Sequence, residues 1–385
     1  MIKLLALVST VGLSGICFAG DTPLPAGLSG LMMPSVSAIR RIEVPAPAAP
    51  VEPDPCAAMN ALADSKDEAA ARTIAAAIGD SDPGVRRCAI RAAGESRNKL
   101  AVDPLLAGVE AYVRDASRDP YEEKLKAKLS AIDSIWSLGE IGDPKVLDAL
   151  VKLYAGSDEV IRMNLVMGIG KIKTPAAVSF LKGTAASENA TMATRSAAFE
   201  MLAEINDDFR LSAFSPSLVS GVEKADLIYS GGLFGIPHAW IKELPIGHSG
   251  LFVKAELKDG KIVAEILDCV PNYFPAPNGV RHIYSWKHFT HEFKYPYYGD
   301  RSSKVRPTPA QREKIIQAAA AKVGHKYGNS HTEQQGPDLF DCVGYTEYAY
   351  EVAGVNPTPE EYEIGLGWPL TPMEQFIATV PNIHP

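Results

Sequence analysis

Apolar positions between residues 56 and 210 recur at helical spacing, and the spacing itself repeats. Val85-Arg86-x-x-Ala89…Ala93-Gly94 lies over Ile161-Arg162-x-x-Leu165…Ile169-Gly170 and over Thr194-Arg195-x-x-Ala198…Leu202-Ala203. A weaker copy, Ala131 to Gly139, falls between the first two after an insertion, and the last three copies recur every 31 to 33 residues. Between the apolar runs stand Asp-rich turns, Asp80-Ser-Asp-Pro83 and Gly142-Asp-Pro144. One helical hairpin cannot bury its apolar face alone, so this period predicts stacked hairpins. Small residues at fixed positions let the helices approach closely, and the recurring arginine can bond carbonyls at a neighbouring turn.

After Phe214 the pattern changes to β-branched and aromatic runs broken by Gly and Pro: Ala225 to Tyr229, His248 to Ala255, and Lys261 to Val270. Asp259-Gly260 between the last two is a hairpin signal, because both turn positions need positive φ. Helices are expected from Pro309 to about Val323, entered through Thr308, and from Asp341 to about Ala353, ending in Gly354. Strands first and helices later indicate an α+β domain over 214–385.

The repeating segment resembles short HEAT-like repeats, which implies a curved all-α solenoid over 56–210 with a surface for a protein partner; an irregular helical bundle is the plain alternative. Residues 21–55 are dense in Pro and Ala and read as a linker. Residues 1–20 carry Lys3, an apolar run from Leu4 to Ile16 and a small-residue ending, the form of a secretory signal peptide cleaved after Ala19 or Gly20. Ile16 stands where lipidation at Cys17 would want a small residue. The expectation is a periplasmic or secreted protein with no transmembrane segment.

Composition narrows the partners. With 46% hydrophobic residues, 22% charged and a net charge of -8, the chain has no basic field for nucleic acid. Export lets disulfides persist. Cys56 and Cys88 can meet if both start helices pointing the same way; buried thiols are the other reading, and Cys269 is equally open.

Two short segments carry chemistry: Gly247-His248-Ser249-Gly250 opening a strand, and Phe340-Asp341-Cys342-Val343-Gly344 opening a helix. A thiolate attacks carbonyls and a thiol does not, so a catalytic cysteine needs its pKa lowered. Helix-start amides at Cys342 would do this, with Asp341 as N-cap and Gly344 leaving room for substrate. His248 would be the base, since imidazole titrates near neutrality. Only His384 follows Cys342, in a Pro-bounded tail, so the histidine comes first in the chain. His282, His288 and His291 complete no metal-ligand motif among Trp286, Phe289 and Phe293, and read as a solvated element edge. No phosphate-cradling loop or Cys-x-x-Cys occurs, and no cofactor is expected.

The run Val323-Gly-His-Lys-Tyr327-Gly…Phe340-Asp341-Cys342-Val343-Gly344 resembles the nucleophile region of NlpC/P60 enzymes, with Val343 where Ser is usual. The order Asp226-Leu-Ile, Gly247-His248, Asp259-Gly260, Gly279-Val280, Cys342 resembles their circularly permuted relatives, the YiiX-like amidases and lecithin:retinol acyltransferase. This resemblance implies a papain-like fold and thiol hydrolysis of a peptide or lipid acyl bond without metal. It makes Tyr327 a site-lining, substrate-binding group and puts the Cys342 amide in an oxyanion hole. The family's orienting residue lies on the return strand of the hairpin. Asp268 is better placed than Glu265, the alternate, which would sit opposite Lys254. A strict two-residue turn puts Asp268 and His248 on opposite faces, so Asp268 requires a longer loop or a bulge.

Overall fold

The computed structural model describes residues 55–65, 67–115, 121–231, 246–271, 278–328, 338–358 and 370–382. The expected signal peptide, the linker up to residue 54, Tyr273 and His384 lie outside the described residues.

The chain begins with helices: α1 (Pro55–Ser65), α2 (Glu68–Ala77), α3 (Pro83–Glu95), α4 (Val102–Arg114), α5 (Tyr121–Ile141), α6 (Leu147–Ala155), α7 (Glu159–Ile172), α8 (Pro175–Ala186) and α9 (Met192–Glu204). Their starts are written in the turns. Asp67, Asp82, Asp158, Thr174 and Thr191 accept from amides of the first turn, satisfying donors with no intrahelical partner. Each helix from α3 to α9 that carries a copy of the repeat packs on the next, so α3, α5, α7 and α9 form an inner stack.

Small residues set the closeness of that stack. A Cβ on Gly94 would stand 2.8 Å from Ser137 Oγ, one on Gly139 2.9 Å from Gly168 Cα, and one on Gly170 2.6 Å from Met201 Cε. The recurring arginines bond carbonyls as the sequence suggests: Arg86 Nη1 to Asp80 O (2.6 Å), Arg162 Nε to Tyr154 O (3.3 Å) and Arg195 Nε to Ala185 O (3.0 Å). Cys56 and Cys88 form a disulfide that ties α1 to α3, with Cα atoms 4.9 Å apart.

Next come β1 (Leu227–Gly231), β2 (Ile246–Lys258), β3 (Lys261–Val270), β4 (Gly279–Ile283), a short α10 (Trp286–Phe289) and β5 (Tyr297–Ser302). They are followed by α11 (Pro309–Ala320), β6 (Lys326–Tyr327), β7 (Leu339–Phe340), α12 (Cys342–Val352), α13 (Pro372–Ala378) and β8 (Val380–Pro381). Among the described residues six strands make one antiparallel sheet in the order β4-β3-β2-β1-β5-β8. This is a helical repeat region followed by a region of helices and antiparallel sheet.

The β2–β3 hairpin turns on Asp259 (φ 52°) and Gly260 (φ 77°), a two-residue turn. Its register shifts between Phe252 and Lys254, so Glu265 pairs with Lys254 while Asp268 pairs with Gly250. That bulge supplies the parity change a strict hairpin would deny, and Asp268 shares a face with His248.

The sheet is covered on both sides. His248, Gly250 and Phe252 face α10, where Phe252 stacks on Trp286 at 5.9 Å. On the other face Tyr229 meets Phe376 and Gln375 of α13, and Cys269 donates to Phe340 O at 3.1 Å. Buried polar contacts lock the inner stack to the sheet region. Asn164 of α7 donates to Tyr297 O (2.6 Å) and accepts from Tyr297 N (3.2 Å), completing a strand it is not part of. Asp133 of α5 takes the Tyr298 hydroxyl at 2.6 Å, and Glu200 of α9 accepts from Ser285 Oγ and the Trp286 and Lys287 amides. Repeats and sheet belong to one compact unit, Val51–Pro385.

The segment after α10 holds a strained turn: His291, Glu292 and Phe293 have φ of 54°, 61° and 56°. For residues with a Cβ this costs about 1–2 kcal/mol each. The turn persists because its backbone is gripped, by Glu292 N to Lys287 O (2.7 Å) within the segment and by two donors from the repeats onto Phe293 O.

Candidate active site

Strand β2 delivers His248 at its second buried-face position, and the imidazole is fully enclosed, 2% exposed. Its Nε2 lies 3.0 Å from Asp268 Oδ2. Asp268 in turn is held by Arg281, directly opposite on β4, through Nε to Oδ1 (2.6 Å) and Nη2 to Oδ2 (2.9 Å). Arg281 also donates to His288 O at 3.2 Å. Burial alone would raise the Asp268 carboxyl, but the charge and hydrogen bonds of Arg281, with His248 added, hold it well below the usual carboxylate range. Asp268 is therefore an anion at any working pH. It accepts the Nε2 proton of His248, which leaves Nδ1 as the nitrogen able to take a proton.

Cys342 comes from the other face of the sheet. Asp341 caps α12, its carboxylate accepting from Gly344 N at 2.7 Å, so the helix starts at the cysteine. The backbone amides of Ser249 and Val343 lie beside the sulfur and favour negative charge on it. Ser249 follows His248 in the strand and its side chain points the other way, so the sulfur and the imidazole lie on opposite faces of β2. Among the described residues no hydrogen bond joins them. The amides favour a thiolate, but burial comes first and the Asp341 carboxylate adds to it, and the thiol is pushed up to about 12. The lowered pKa expected from the helix start is thus overturned by enclosure. A thiol held in this state attacks a carbonyl only if a proton acceptor takes its proton.

Of the other expected residues, Tyr327 sits half-buried on β6, paired with Phe340 of β7, two residues before Cys342. Gly279, at φ 84°, lets the 325–326 backbone approach to where a Cβ would stand 2.0 Å from His325 O, and this fixes the β6–β7 pair beside β4. Glu265, the alternate to Asp268, is elsewhere: it pairs with His282 Nε2 at 2.6 Å and Lys254 Nζ at 3.5 Å. The solvated edge expected of the three histidines holds for His288, is partial for His282, and fails for His291. His291 is buried with its ring 4.9 Å from that of His248. Among the described residues no cluster of three metal-ligating side chains occurs.

Sequence reasoning missed Arg281 and Gln375. Asp268 and Arg281 are opposite charges inside otherwise apolar runs, a signal that each needs the other. Gln375 is fully buried and links Tyr229, Thr346 (2.9 Å) and Glu347 (2.6 Å) behind α12, a contact no local pattern announces.

Residues 53–119 and 130–203 match the family model of HEAT repeats. The N-terminal helices are HEAT repeats. No curated protein matches the chain. Of the inner HEAT helices that carry the arginine and glycine signature, α5, α7 and α9 pack on the sheet region, so their face is occupied by the chain's own C-terminal part.

Proposed function

We propose that the chain is an exported cysteine hydrolase of the permuted NlpC/P60 kind, a papain-like domain over 214–385 joined to the HEAT repeats, cleaving an amide or ester through an acyl-Cys342 intermediate. The observation that carries this is the buried Asp268–His248 hydrogen bond on β2, the strand against which α12, with Cys342 at its start, also packs. Asp268 fixes the imidazole with its proton on Nε2. This reading requires Nδ1 to reach the thiol, from which strand β2 separates it here, and to take its proton as the sulfur attacks the carbonyl carbon; the oxyanion is then met by the Cys342 amide. The imidazolium then gives that proton to the leaving amine or alcohol. Water, deprotonated by the same nitrogen, attacks the thioester and frees the acid. No metal enters these steps. A peptide amide of cell-wall material or a lipid acyl bond is the substrate class, and the disulfide agrees with an oxidising compartment.

A second reading draws on the burial of Cys342, 4% exposed: an inactive adaptor working through the repeats. Intact-protein mass spectrometry after incubation with a thiol-directed acyl probe, peptidoglycan fragments and lipid esters separates the two. Labelling at Cys342 that vanishes in His248→Ala supports the hydrolase, and an added amine acceptor distinguishes transfer from hydrolysis. Cys342→Ala leaving all turnover or phenotype intact would sink it.

A further inference from the structure

His248 is walled by a segment that the HEAT repeats hold. Its ring lies 5.1 Å from Phe289 and 4.9 Å from His291, and both belong to α10 and the left-handed turn after it. Glycine would adopt that turn freely, yet the three residues are His, Glu and Phe, so outside contacts must select it. Two donors do so at one atom. Trp136 Nε1 of α5 and Lys171 Nζ of α7 meet Phe293 O at 3.1 and 2.8 Å. The lysine is itself fixed by Glu140 of α5 and lies 5.0 Å from the Trp136 ring centre. Both donors stand within the HEAT match, on neighbouring helices of the inner stack. At its other end the segment is capped by Glu200 of α9 and by Trp286 Nε1 donating to Ser196 Oγ at 2.8 Å.

We propose that the HEAT repeats position the active-site base: Trp136 and Lys171 clamp Phe293 O and so hold the left-handed turn that presses His291 against His248 and fixes its ring. Trp136, Lys171 and His291 are positioning residues, acting through His248 rather than on substrate. The inference rests on the thiol-hydrolase reading for the role of His248, but the placement of that ring can be tested without it. A solenoid joined to an enzyme is ordinarily expected to recruit partners. Here the repeats complete the wall behind the base, so their removal would disable the site even for a small substrate.

The test uses the full chain labelled at histidine, with His248 and His291 resonances assigned by His→Asn variants. In wild type the two rings give a mutual nuclear Overhauser effect. Lys171→Met with Trp136→Phe should shift both ring resonances, weaken that effect, and slow alkylation of Cys342 by iodoacetamide at neutral pH about tenfold to a hundredfold. The pH dependence of that alkylation should move as well, and Lys171→Arg, which keeps a donor, should behave as wild type. If the double variant does not fold, each single substitution removes one donor and is measured alone. Unchanged ring resonances and alkylation in the folded variants would overturn the proposal. If instead His248→Ala alkylates as wild type, the hydrolase reading fails, while the ring resonances still decide whether the repeats hold His248.

Discussion

Replacing Asp268 by Asn changes one atom and tests the orientation of the base. The carboxylate now serves Arg281 with both oxygens and His248 with Oδ2. An amide has one oxygen. If that oxygen faces Arg281, the NH2 points at the imidazole and can only donate, which turns Nε2 into an acceptor and moves the ring proton to Nδ1. On the proposed hydrolase reading Nδ1 is the nitrogen that receives the thiol proton, so the general-base contribution, about 10²–10⁴ in rate or ~3–5 kcal/mol, should be lost. Stability falls too, because Arg281 is 5% exposed and loses its counter-charge. Breaking a buried pair costs about 3 kcal/mol or more, so Tm should drop by roughly 6 °C at ~2 °C per kcal/mol. The sign of the pH dependence follows from the depressed Asp268 value: its contribution is present above the ordinary Asp range and is lost only as pH falls through that value in strong acid. Between pH 5 and 8 the difference between wild type and variant should therefore be flat. The assay is acyl-probe labelling of Cys342 by mass spectrometry beside thermal unfolding. Wild-type labelling rate and pH profile in a folded Asp268→Asn protein would refute the orienting role.

Two further outcomes test the frame around the site. Glu159, raised to about 7 by burial against the opposing bonds of Thr191 and Thr194, favours folding below the free Glu value, and that contribution is lost as pH rises through 7. From the ordinary 4.5 this is worth about 3 kcal/mol, so wild type should lose stability relative to Glu159→Gln between pH 4.5 and 7, read by thermal melts. Gly139→Ala drives a methyl to 2.9 Å from the Gly168 backbone and should cost about 1–3 kcal/mol, whereas Gly183→Ala, with nothing within 4 Å, should gain about 0.5–1 kcal/mol; urea midpoints at unchanged slope measure both.

The repeats were legible because a stacked hairpin repeats its demands. The Gly94, Gly139 and Gly170 positions face the next helix, and Arg86, Arg162 and Arg195 each tie down the turn before them. Asp259-Gly260 announced its turn for the same local reason. The choice of Asp268 over Glu265 needed one more fact, the bulge at Val253, and a bulge has no residue signature in a run of apolar side chains. The state of the cysteine went the other way. Helix-start amides are local and predicted a lowered pKa, but enclosure by distant elements dominates and raises it.

What the sequence by itself determined is local: repeat period, caps, turns, a histidine on a strand and a cysteine at a helix start. What only the tertiary structure decided is which face meets which. The amide beside the Cys342 sulfur and the HEAT helices that grip the turn beside His248 come from chain segments far apart, while the arginine that neutralises Asp268 comes from the next strand. Side-chain periodicity fixes the face a residue occupies within its own element, while the element placed against that face is chosen by packing of the whole core.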